Sequence, residues 1–266
     1  MRIPTFVLTP PSREELQRVL RDGRTAVATY LVAPDQSHPA NAWLYVCRNK
    51  SYSLENLGVA GRRDARRAGR SLRIEFLDWP TVMAHGVTAF SETRARVGLS
   101  DGTVAQFQNR FQRFSRNPFH CAVGAWKDDA LVAFMTLAIV DDWVEIEGGF
   151  STDGSRTLCP NDGLVHFVMN HFLVKRQFNT VSGGLSSIQD AHQAEGLHTY
   201  KKKVGFAPQP VHRAFILHPF LRPFANPLTL RGAKWVSKAL PQNRLMKKAS
   251  GMLVTLLENT HTSSMS

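Results

Sequence analysis

Residues 120–150 read HCAVGAWKDDALVAFMTLAIVDDWVEIEGGF, and this stretch decides the fold. His120–Trp126 and Ala130–Ile139 are apolar runs around the polar turn Lys127-Asp128-Asp129, which predicts a hairpin. Trp143–Phe150 predicts a third strand, with Val144, Ile146 and Gly148 alternating against Glu145, Glu147 and Gly149. After the turn-rich Ser151–Asn161, residues Leu164, Phe167, Val168, His171 and Phe172 give Leu164–Phe178 a helical period. Thr180–Ser186 returns as a strand, Asp190–Lys203 as a helix and Val211–Leu217 as a last strand. The order β-β-β-α-β-α-β predicts a mixed α/β sheet whose antiparallel part comes first.

Working outward, Thr5–Thr9 is a short β-like run, and Pro11–Glu15 opens an amphipathic helix with Leu16, Val19 and Leu20 on one face. Ala26–Val32 and Ala42–Cys47 read as strands, residues 54–71 as an Arg-rich helix and Leu72–Leu77 as a strand. Thr81–Gly98 and Thr103–Arg113 read as helices, as do Lys234–Ala239 and Asn243–Glu258 beyond a Pro/Leu/Arg-rich segment. This suggests an N-terminal sub-lobe (1–50), a core (51–219) and a basic helical appendage (220–266).

The chain has 266 residues, 43% hydrophobic and 20% charged, enough to bury a real core, which excludes global disorder. Its net charge of +12 is concentrated: residues 196–257 hold no acid and eleven Lys and Arg. No apolar run approaches the ~20 residues of a membrane-spanning helix. The first residues lack a signal-peptide pattern, so a cytoplasmic location is expected, with peripheral contact at the inner face of the membrane left open. Cys47, Cys121 and Cys159 have no paired spacing, and His166 and His171 are five residues apart rather than four, so neither disulfides nor a metal site is expected. Dinucleotide, Walker, zinc-protease and nucleophile-elbow motifs do not occur.

Ala191–Phe206 reads AHQAEGLHTYKKKVGF. With the element order, this ending resembles the GNAT N-acyltransferase superfamily, where a Tyr precedes a short charged run and Gly-Phe. The Arg-rich helix, a long helical insert, the sheet and then Tyr200, Lys201, Val204 and Gly205 are similar to the Fem-like peptidyltransferases and related single-domain acyltransferases. The resemblance spans roughly residues 54–217 and implies acyl transfer from a thioester or ester carrier to an amine, with the donor where two central strands splay. It implies no tightly bound cofactor, an acyl-CoA or aminoacyl-tRNA donor, and an amine-bearing acceptor that is a small molecule, a peptide or a cell-wall precursor.

The chemistry sets the site residues. An attacking amine must lose a proton, the oxyanion needs donors, and the leaving group needs a proton. Glu145 and Glu147 lie on the strand that carries the base in the superfamily; two residues apart, they would share one side, or simply form the strand's solvated face. Tyr200 matches the Tyr that protonates the leaving group, against the alternative of an aromatic packing the last helical turn. Lys201 matches a Lys near the reacting ester, whereas Lys202 and Lys203 are read as solvent-facing. Arg62, Arg63, Arg66 and Arg67 stack as two i,i+4 pairs, an anion-binding stripe for substrate or a solvated face. The usual pyrophosphate loop of the superfamily is missing from residues 151–163. Arg156, Asp162 and Gly163 at the start of the long helix are the remaining candidates for holding a donor phosphate.

The basic, aromatic-interleaved C-terminal region fits anionic lipid, tRNA, or a helical hairpin packed on the core. A second reading follows: a catalytically silent scaffold that binds membrane or RNA.

Overall fold

The computed structural model describes residues 7–22, 26–99, 102–186 and 191–224, and singly 226, 229, 231 and 235. It holds α1 (Arg13–Asp22), β1 (Val27–Val32), β2 (Ala42–Cys47), α2 (Val59–Ser71), β3 (Arg73–Leu77), α3 (Trp79–His85), α4 (Val87–Arg96) and α5 (Val104–Ser115). Then come β4 (His120–Lys127), β5 (Ala130–Val140), β6 (Trp143–Ser151), α6 (Pro160–Met169), β7 (Thr180–Leu185), α7 (Ala191–Lys203) and β8 (Ala207–Leu217). The mixed α/β class and the element order expected for residues 120–217 are therefore present. The helices expected within 234–258 lie outside the described residues. Of the run at 5–9, residues 7–9 are not a strand.

The chain divides into two compact units, Met1–Leu44 with Leu185–Glu195 and Gln209–Ser266, and Tyr45–Gly184 with Gly196–Pro208. In the first, β1 and β8 pair antiparallel from Val27↔Leu217 to Val32↔His212. Ser12 caps α1 through a reciprocal bond with Glu15, and Leu16 and Leu20, one turn apart, are its buried face.

In the second unit the strand order is β7-β6-β5-β4-β3. The β3/β4, β4/β5 and β5/β6 pairs are antiparallel and β6/β7 is parallel. Helices cover both faces, which is why β5 is apolar without alternation. Ala133, Met135 and Leu137 face a core shared with α2 and α6. Phe134 faces a second, aromatic core with Phe90, Phe107, Phe111 and Phe150. The helix expected over Thr81–Gly98 is two helices broken at Gly86, where a Cβ would lie 2.7 Å from the Val82 carbonyl oxygen and 3.1 Å from the Phe134 ring. The ring needs that space, and the helix yields.

α2 approaches the end of α7 closely at Gly61, where a Cβ would meet the Lys203 carbonyl oxygen at 2.3 Å. A backbone carbonyl cannot rotate away, so Gly61→Ala is expected to lower stability by about 2 kcal/mol despite alanine's better helix propensity. Gly69, on the same helix with nothing within 4 Å of a Cβ, supplies the contrast. Gly69→Ala gains up to ~1 kcal/mol. Urea unfolding of the two variants side by side checks both signs.

Candidate active site

β6, α6 and β7 form a β-α-β unit, the only one with parallel strands among the described residues of this part of the chain. β6 and β7 pair over just three positions, Trp143↔Thr180, Val144↔Val181 and Glu145↔Ser182, and then separate. On the other edge of β6 the register with β5 slips, because Leu137 faces Ile146 while Thr136 faces Gly148. Glu147 is the extra residue of this bulge, which bends β6 and disrupts its ladder. The two parallel strands thus part toward their carboxyl ends, the place where open α/β sheets put a ligand crevice.

Glu145, half-buried, sits at the last paired position before the strands part. Glu147 pairs through Oε2 with His120 Nε2 at 3.0 Å, and the His120 ring stacks on Phe114. The strand is not regular across the two glutamates: the bulge lies between Glu145 and Gly148, and Glu147 has the imidazole contact.

Beyond β6 the chain turns through residues 152–159. Cys159 is left-handed at φ 55° and Pro160 opens α6. Asp162, in the first turn of α6, is buried and ion-paired with Lys203, which also contacts Asp64 of α2 at 3.1 Å. Burial raises the Asp162 carboxyl above its ordinary range, with Lys203 opposing. A hydrogen bond from Arg63, with help from Lys203, holds Asp64 below its range. Burial opposes the charge on Lys203, but Asp162 and Asp64 outweigh it and keep its pKa raised. Lys203 is thus no solvent-facing residue, as the sequence suggested, but a clamp between two carboxylates. It lies three residues after Tyr200, on the same helical face, with its ammonium 5.2 Å from the Tyr200 ring.

The Tyr200 hydroxyl is buried and has no hydrogen-bond partner among the described residues. Burial, then the Asp162 charge, raises its pKa, so the phenol stays protonated. Lys201 points to a different side of α7. Its buried ammonium lies 3.3 Å from the Gly184 carbonyl oxygen, at the end of β7, and 4.4 Å from the Tyr45 ring centroid. Tyr45 also hydrogen-bonds His198. The VGF sequence after these residues ends the helix. Gly205 has φ +100°, its N–H bonds the Lys202 carbonyl and that of Phe206 bonds the Lys201 carbonyl. Val204 and Phe206 are buried on either side.

The arginine stripe divides by face. Arg62 and Arg66 both bond Glu55, at 2.8 and 2.9 Å. Arg63 bonds Asp64, and Arg67 reaches the Thr157 carbonyl oxygen at 3.2 Å, next to the start of α6. Arg156 is exposed on the turn before α6. Gly163 lies against α2, where a Cβ would meet that of Ala68 at 2.6 Å. The structure therefore brings Asp162 and Tyr200 together near the start of α6, with Arg67 and Arg156 at the turn before it, sets Lys201 at the end of β7, and ties Arg62 and Arg66 to Glu55.

No protein-family model matches the chain, and no curated protein does. Solved structures do. FemX superposes with a TM-score of 0.56 at 11% identity, over 82% of this chain and 72% of that one. L-PGS from Bacillus licheniformis superposes with a TM-score of 0.52 at 10% identity, over 76% and 71%. The chain shares the fold of FemX and L-PGS. At these identities the similarity is one of fold.

Within the Fem-like fold, sequence reasoning missed Asp64, Lys203, Tyr52 and His120. Asp64 left a signal, as the one acid in the helix VAGRRDARRAGRS. Tyr52, whose hydroxyl donates to the Val204 carbonyl oxygen at 3.2 Å, and His120 left none. Among the described residues no helix is long and apolar enough to cross a membrane, and no His/Cys/Asp/Glu group is arranged to hold a metal.

Proposed function

We propose that this chain is an acyltransferase that moves an acyl or aminoacyl group from a thioester or ester carrier directly to an amine. The observation that carries the reading is the Tyr200 hydroxyl, buried with no hydrogen-bond partner among the described residues and near Asp162 at the start of α6, the helix between β6 and β7. An orphaned hydroxyl in a folded protein costs stability, so its retention points to a partner supplied by substrate.

In this reading the acceptor amine gives a proton to Glu145 or Glu147 and attacks the donor carbonyl. Backbone N–H groups of β6 freed by the splay face the oxyanion, with Lys201 adding fixed positive charge. The C–S or C–O bond of the donor then breaks, and Tyr200 gives its proton to the leaving thiolate or alkoxide. Arg156 and Arg67 meet donor phosphates beside the α6 N-terminus. Asp162 serves by fixing Lys203, and Gly163 by letting α2 approach. Acyl-CoA and aminoacyl-tRNA are the two donors this arrangement suits, and the acceptor is a small molecule, a peptide or a cell-wall precursor.

The test is unfolding of the purified protein with acetyl-CoA, longer acyl-CoAs and charged tRNA. A donor at 100 times its Kd raises stability by about 2.7 kcal/mol. A shift with an acyl-CoA or a charged tRNA is expected, and which one names the donor. No shift with any donor, together with salt-sensitive binding of anionic vesicles or uncharged RNA, would replace this reading by that of a silent scaffold.

A further inference from the structure

Away from the crevice, α2, β3 and α6 enclose a groove of about 410 Å³. That is within the range of small-molecule sites, ~300–1,000 Å³. Its two walls differ. One is apolar, with Gly69 and Leu72 from α2 and Ile74 and Phe76 from β3. Phe76 is 39% exposed, its ring edge-on to Phe167 and His171 at the groove. The other wall carries His166, Asn170 and Lys175.

Three features of the polar wall point to a ligand. His166 lines the groove, and its Nδ1 is buried with no hydrogen-bond partner among the described residues. Burial lowers the pKa of this imidazole and keeps it neutral, so one ring nitrogen remains an acceptor. Asn170 and Lys175 make no side-chain hydrogen bond or ion pair with any described residue. Finally, Asn170–Lys175 is a π-helical turn. A continuous α-helix would bring Val174 onto the face of His166 and Asn170; the wider turn brings Lys175 there instead. Lys175 is the one cation lining the groove, and no carboxylate lines it.

We propose that this groove binds an aromatic carboxylate bearing a ring N–H, with its flat face on α2 and β3, the N–H donated to His166 and the carboxylate paired with Lys175. Aromatic edges at Phe76 and Phe167 favour a ring over a saturated chain. A plain hydrocarbon would leave His166 and Asn170 unpaired, which disfavours it. His166 and Lys175 are nine residues apart, roughly 13 Å of helix rise, part of which the lysine stem spans. The carboxylate is therefore set off from the ring by a short chain.

Indole-3-butyrate is the probe, titrated calorimetrically into the full chain. One saturable site is expected. The naphthyl analogue, lacking the N–H, and the analogue with an ammonium in place of the carboxylate each bind about tenfold more weakly or worse. Gly69→Leu, whose side chain enters the groove from a position with open space, abolishes binding with the unfolding transition retained. Lys175→Glu, at an exposed position that folding tolerates, weakens the carboxylate at least tenfold, and His166→Phe erases the preference for indole over naphthyl. No binding to the wild type overturns the proposal, as does unchanged affinity in Lys175→Glu or in folded Gly69→Leu.

Discussion

Tyr200→Phe lowers turnover about 10²-fold or more, the range of a lost general acid, while the protein's unfolding midpoint stays level or rises. The two halves of this result come from one atom. The Tyr200 hydroxyl is buried without a partner among the described residues, so removing it takes away an unsatisfied polar group. Its pKa is raised by burial, so across the physiological range the phenol stays protonated. Steady-state kinetics with the donor identified by unfolding, alongside a thermal melt, read both halves. A variant that keeps full turnover removes Tyr200 from the chemistry. One that loses turnover and stability together would mean that the hydroxyl holds the fold through a hydrogen bond rather than serving as a proton donor.

Lys203→Met has the largest expected effect on stability, a loss of about 3 kcal/mol at pH 7. Its side chain is 24% exposed, while those of Asp64 and Asp162 are 11% and 9% exposed, so the two carboxylates are left with little solvent in place of the ammonium. Asp64 retains Arg63, which makes Asp162 the group that suffers. Asp162→Asn on the Lys203→Met background therefore recovers about half of the loss. The pH dependence has a definite sign. A carboxyl whose folded pKa is raised takes up protons on the folded side first, so its cost is relieved as pH falls. Without Lys203 the rise in Asp162 is larger, and the gap between variant and wild type narrows from pH 7 to pH 5. Asp64, held low, contributes stability that is lost only as pH falls below its ordinary value of 3.8. Denaturant unfolding of the three proteins at both pH values checks the sign. A gap that widens on acidification would contradict the clamp.

Much of the fold is legible because local periodicity and tertiary burial agree. β5 reads as one apolar run because helices cover both of its faces, and the Tyr200–Phe206 ending is readable because the turn needs Gly205 at positive φ. The break at Gly86 is set by a neighbour distant in sequence, a phenylalanine ring on β5, and periodicity carries no trace of it or of the π turn at Asn170. The site divides the same way. Tyr200 and Lys201 are visible through their motif. The role of Lys203 depends on Asp64 and Asp162, 139 and 41 positions away in the chain, and three successive lysines look alike until a helix assigns each its own face.

Direct transfer where β6 and β7 part is tested by following a labelled acyl group. The protein is incubated with labelled donor, with and without an amine acceptor, quenched in denaturant and separated into protein, donor and product. Donor loss that requires the amine, label appearing on the amine and none on the denatured protein is the predicted result. Label retained on the protein, or donor consumption indifferent to the amine, would contradict it.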